Sequence, residues 1–96
     1  MKDIFPKVVQ AIAGDNYTVY AYMNDGSVRL VETLPLIDKG GVFAPLRDPD
    51  VFQRSLTVMN DTVAWDLSGK HDPSDCIDLD PFSIQERPAV ADPLTA

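Results

Sequence analysis

The sequence predicts a small α+β domain: an antiparallel sheet built from two hairpins plus an N-terminal strand, with two or three short helices. Three observations carry that prediction. Tyr17–Glu32 (YTVYAYMNDGSVRLVE) joins two β-rich runs through Asn24-Asp25-Gly26, a strong short-range hairpin signal. Leu56–Trp65 (LTVMNDTVAW) repeats the pattern around Asn60-Asp61. Asp48-Pro49 and Asp80-Pro81 each set a capping residue before a proline, the signature of a helix start.

In chain order, Lys7–Ala13 (KVVQAIA) is rich in β-branched residues and ends at the turn cluster Gly14-Asp15-Asn16, so it reads as the first strand. A bulge at Gly26 sets Met23 opposite Ser27. It then pairs Tyr22 with Val28 and Tyr20 with Leu30 on one face, and Val19 with Val31 and Ala21 with Arg29 on the other. Both faces are partly apolar, which predicts helices on one side and a loop or a second subunit on the other.

Thr33-Leu34-Pro35-Leu36-Ile37 starts with a cap-type residue and has an early proline, fitting one helical turn closed by Gly40-Gly41. Val42–Leu46 is apolar and stiffened by Pro45. A helix opening at Asp48 and running to about Ser55 would bury Val51 and Phe52, and it must stop there because a β-type run begins at Leu56. In the second hairpin Leu56 opposes Trp65 and Val58 opposes Val63, forming a second wall of the core. Asp66–Asp75 is a polar loop, Cys76-Ile77-Asp78-Leu79 alternates like a short edge strand, and Asp80-Pro81 opens the last helix. One compact domain therefore spans residues 1–88, and 89–96, bracketed by Pro88 and Pro93, reads as a flexible tail.

Charge narrows the classes of partner. The net charge is −7, which repels phosphate backbones and argues against nucleic-acid binding. Residues 1–47 are balanced, and the whole acidic excess follows Arg47, where only Arg54, Lys70 and Arg87 oppose it. A basic partner surface or a cation fits that asymmetry. All the acids but Glu32 and Glu86 are aspartates, which favour caps and turns, so most read first as structural. No apolar run reaches the roughly 20 residues of a membrane span. The N-terminus lacks a signal peptide's apolar stretch, and the lone Cys76 cannot form an internal disulfide. Together these predict a cytoplasmic protein without a membrane partner.

The densest polar constellation is His71, Asp72, Asp75, Cys76, Asp78 and Asp80. Its spacing matches neither a zinc set nor a calcium loop, since it has no internal glycine and no closing glutamate, so no metal or other cofactor is expected. A nucleophilic Cys76–His71 pair lacks an accompanying oxyanion motif, and the acids Asp66, Asp78 and Asp80 lack a deep cleft in a chain this short. No catalytic residue is assigned. Most of the aromatics read as core, Phe82 among them, whereas Tyr17, Tyr20 and Tyr22 on the first hairpin are of the type that recurs in protein interfaces.

Several landmarks together resemble a family of small bacterial proteins known as domain of unknown function 2442. They are Phe5-Pro6-Lys7-Val8, the hairpin Tyr17–Leu30, Gly41-Val42-Phe43-Ala44-Pro45-Leu46-Arg47-Asp48, Phe52, Val63-Ala64-Trp65 and Asp78-Leu79-Asp80-Pro81, covering about residues 4–84. The stretch Asp66–Cys76 departs from the family's more direct passage to the acidic segment. The resemblance implies a compact α+β domain without catalytic residues or cofactor. It also implies an arrangement beside a second very small protein that looks like a toxin–antitoxin pair.

The leading expectation is a non-enzymatic protein–protein interaction module, an antitoxin-like partner of a small basic protein, using Tyr20, Tyr22, Asp72, Asp75, Asp78 and Asp80. Two alternatives stand beside it. One is a small metal-dependent or hydrolytic enzyme built on the His71–Asp80 cluster, the other a purely self-associating structural domain.

Overall fold

A computed structural model describes residues 5–70 and 76–94 and shows an α+β fold with two antiparallel sheets. The first has the order β1 (Val8–Ala13), β2 (Thr18–Met23), β3 (Val28–Glu32) and a last strand that returns from the C-terminal end. α1 (Leu34–Lys39), a 3-10 helix (Gly41–Arg47) and α2 (Pro49–Ser55) lead to the second sheet, β4 (Leu56–Met59), β5 (Thr62–Trp65) and β6 (Ile77–Asp78). α3 (Pro81–Gln85) and β7 (Ala89–Val90) complete the chain. The two hairpins thus belong to different sheets, whose edges meet where the Val8 amide donates to the Asp61 carbonyl at 2.8 Å.

Both hairpin registers are as the turns dictate. In the first, Tyr22 faces Val28, Tyr20 faces Leu30 and Val19 faces Val31. Gly26 adopts φ 87°, and the amides of Met23 and Gly26 donate to Ser27 and Met23, the geometry of a three-residue loop with a glycine bulge. In the second, Leu56 faces Trp65 and Val58 faces Val63. Asn60 and Asp61 have φ of 52° and 63°, the left-handed pair whose twist matches that of the strands.

Alternation along β1 to β3 decides the core face. Val8, Val19, Ala21 and Val31 point inward and are buried against Val63, Trp65 and Ile77 of the second sheet. Ile37, Leu46, Phe52 and Ile84, each the buried member of its short helix, close the remaining sides. Phe52 ties the layers, its ring centroid 5.3 Å from Tyr17 and 5.6 Å from Trp65. Every residue of β5 is buried, so this strand is covered on both faces.

Two expectations are corrected. Thr33 does not cap α1 with its side chain; its hydroxyl donates to the carbonyl of Tyr17 instead. Residues 89–94 do not run as a free tail. Ala89 and Val90 pair with Arg29 and Val28, and the Leu30 amide donates to the Pro88 carbonyl at 3.0 Å. Val28, an apolar residue on the outer face, is buried where β7 pairs with it. The prolines that suggested an unstructured tail bracket an edge strand, where a missing amide blunts further pairing. The opposite edge, β1, is interrupted by a bulge between Val8 and Gln10.

Candidate functional site

The expected surface residues fall in two places. Tyr20 and Tyr22 project from the outer face of the first sheet, both half-buried. Tyr20 lies over Gly14, where an added Cβ would come within 2.8 Å of its ring. Tyr22 donates its hydroxyl to Asp92 Oδ1, which also accepts from the Leu94 amide at 2.8 Å. Withdrawal from water and the adjoining Asp92 push the Tyr22 phenol up from 10.0 to about 12. Much of what Tyr22 offers a partner is therefore already used to fasten the C-terminal segment.

Asp78 and Asp80 stand elsewhere, both exposed, at the end of β6 and the start of α3. Asp80 caps α3, its carboxylate accepting from the Phe82 amide at 2.9 Å. No hydrogen bond or ring contact joins either acid to Tyr20 or Tyr22 among the described residues. Asp72, Asp75 and His71 lie outside the described residues. Cys76 is half-buried. Among the described residues no group of three or more His, Cys, Asp or Glu side chains converges as a metal set would.

Asp78 and Asp80 border a cleft of about 210 Å³ between α1, the 3-10 helix, β6 and α3. Its walls are apolar: Val31, Leu36, Phe43, Leu79 and Ile84. Ser83 and Arg87 complete the polar rim. Phe82, whose amide donates to the Asp80 carboxylate on that rim, packs edge to face on Phe5 with centroids 6.4 Å apart and planes at 84°. Both rings are mostly in water, Phe5 59% and Phe82 54% exposed. Val42, next to Phe43 of the cleft wall, is 70% exposed. A second, open groove of about 510 Å³ runs past Arg54 and Leu67. The one buried acid there, Asp66, already accepts from Ser68 Oγ and the Gly69 amide.

Sequence reasoning placed Phe82 in the core, and the helix geometry explains why it is not. Successive residues of a helix turn by about 100°, so Phe82 and Ile84 point in nearly opposite directions, and only one can face inward. Ile84 does, at 1% exposure. The partnership with Phe5 had no local signal, since the two rings come from opposite ends of the chain.

Among the described residues no helix is long and apolar enough to cross a membrane. No protein-family model, curated protein or solved structure matched the chain.

Proposed function

We propose that this chain is a non-enzymatic protein–protein interaction module whose docking surface is the Phe5–Phe82 ring pair with the adjoining cleft. The observation that carries this reading is the pair itself: two largely exposed aromatic rings in contact, one of them on the residue whose amide binds the exposed Asp80 carboxylate. Contiguous exposed apolar surface rimmed by polar groups is the usual mark of a protein contact. The cleft volume supports the same reading. About 210 Å³ falls below the roughly 300–1,000 Å³ of small-molecule sites and suits one anchoring side chain. The edges of the first sheet argue against recognition by strand addition there, because one is bulged and the other ends in a proline-bracketed strand. In this reading the chain is the acidic, antitoxin-like member of a two-protein bacterial system, as the resemblance to the family implies.

Affinity capture from native lysate tests the proposal, with wild type and Phe82→Ser as paired baits. A protein retained by the wild type and lost from the variant supports it. Capture that survives the substitution moves the surface elsewhere, and empty capture by both baits contradicts the reading.

A further inference from the structure

We propose that the occupant of this surface is a cationic, apolar segment of a partner protein. An aliphatic or aromatic side chain sets against Phe5 and Phe82, while a neighbouring lysine or arginine runs its stem into the cleft and brings its charged head to Asp78 and Asp80. This rests on the interaction reading above and adds the chemistry of the partner.

The cleft has the two-part character such a side chain needs. Lysine and arginine carry an apolar stem and a charged tip. The walls, Val31, Leu36, Phe43 and Leu79, are apolar to match the stem, and the rim at Asp78 and Asp80 is anionic to match the tip. The Asp78 side chain makes no hydrogen bond or ion pair among the described residues, which leaves its carboxylate to a ligand. Asp80 gives one oxygen to the Phe82 amide. Arg87 is the cation of the rim, leaving two carboxylates against one guanidinium.

Charge also discriminates among occupants. A second copy meeting this surface across a two-fold axis would bring together two rims that each carry two carboxylates against one guanidinium, and excess like charge at an interface is costly. An acidic partner meets the same repulsion. A basic segment is drawn in by the field of the whole chain, whose net charge is −7 with the acidic excess in this half.

The test selects binders from a library of short random peptides displayed against the folded protein, then measures the recovered peptides individually by fluorescence anisotropy. The expected peptides combine Lys or Arg with Leu, Phe or Trp. They bind Phe82→Ser about tenfold more weakly, as loss of a central anchor should cause. They bind Asp78→Asn/Asp80→Asn roughly fivefold more weakly and with a flatter salt dependence. Asparagine caps helices as aspartate does, so the double variant keeps α3 intact while removing charge. Peptides that need Phe82 but show no basic bias overturn this inference and leave the interaction reading standing. Peptides indifferent to Phe82, or no binders at all, overturn both, as does a dimer in sedimentation that Phe82→Ser dissolves.

Discussion

The carbonyl of Tyr17 accepts two hydrogen bonds from one residue, Thr33: its backbone amide at 3.0 Å and its side-chain hydroxyl. The pairing fastens the β1–β2 turn to the start of α1. It acts on a residue in an unfavourable conformation, since Tyr17 has φ 61°, a region that bulky side chains seldom enter. The Tyr17 hydroxyl donates to the Arg47 carbonyl and its ring packs on Phe52, so four contacts hold one strained position.

Thr33→Val keeps the shape of a fully buried side chain and removes only the hydroxyl bond. The expected loss is about 1 kcal/mol, read as a lower urea midpoint with an unchanged slope. Tyr17→Gly relieves the left-handed strain of about 1–2 kcal/mol yet destabilises in sum, because it also removes the Phe52 contact and the Arg47 bond.

Gly14 is required by close approach. A Cβ there would lie 2.5 Å from Thr18 Oγ1 and 2.8 Å from the Tyr20 ring. Gly14→Ala should cost about 1–3 kcal/mol through displacement of the Tyr20 ring. Gly26→Ala is the contrast: its surroundings are open and its φ is 87°, so the cost is conformational, about 1 kcal/mol, and Gly26→Asn recovers part of it. Chemical denaturation of the three variants separates the two mechanisms.

Trp65, the single tryptophan, is fully buried, and its indole Nε1 has no partner among the described residues. An unpaired buried donor costs about 1–3 kcal/mol. Trp65→Phe trades that penalty against a cavity, so the net loss should be about 1–2 kcal/mol, well short of the ~3–5 typical of truncating such a ring to alanine. Thermal unfolding of the variant checks it.

Alkaline pH loosens the C-terminal segment. The folded Tyr22 phenol titrates at about 12 against 10.0 when unfolded, so the stability it contributes is complete below pH 10.0 and is lost as pH rises through about 12. Tyr22→Phe should abolish the part of the alkaline unfolding transition in that window. In a phenolate absorbance titration, Asp92→Asn should move the Tyr22 step part of the way back toward 10.0, since withdrawal from water is the larger cause.

Local chemistry was legible in the sequence and long-range closure was not. Asn24-Asp25-Gly26 and Asn60-Asp61 set both registers because a short turn of known handedness leaves one pairing. Asp48 and Asp80 cap as their Asp-Pro context predicts, accepting from the amides two residues on. Thr33 was misread because its alternative partner, the Tyr17 carbonyl, lies on another element. β7 was missed because two residues carry no periodicity, and their pairing depends on the already formed edge of β3. The candidate site divides the same way: Asp78 and Asp80 were nominated from composition, whereas Phe5 meets Phe82 only after the chain has folded.

Phe82→Ser should cost only about 0.5–1.5 kcal/mol, the worth of its edge-to-face contact with Phe5, since the ring is half in water. Thermal unfolding of this variant confirms that any binding defect is one of surface.

Backbone amide chemical shifts of the isotopically labelled protein, recorded as a selected basic peptide is added, test the central claim most directly. The account predicts shifts confined to Phe5, Val31, Leu36, the neighbourhood of Val42–Phe43 and residues 76–87, weakening with salt and needing about tenfold more peptide in Phe82→Ser. Shifts centred on Tyr20 and Tyr22, with residues 76–87 unmoved, would contradict it.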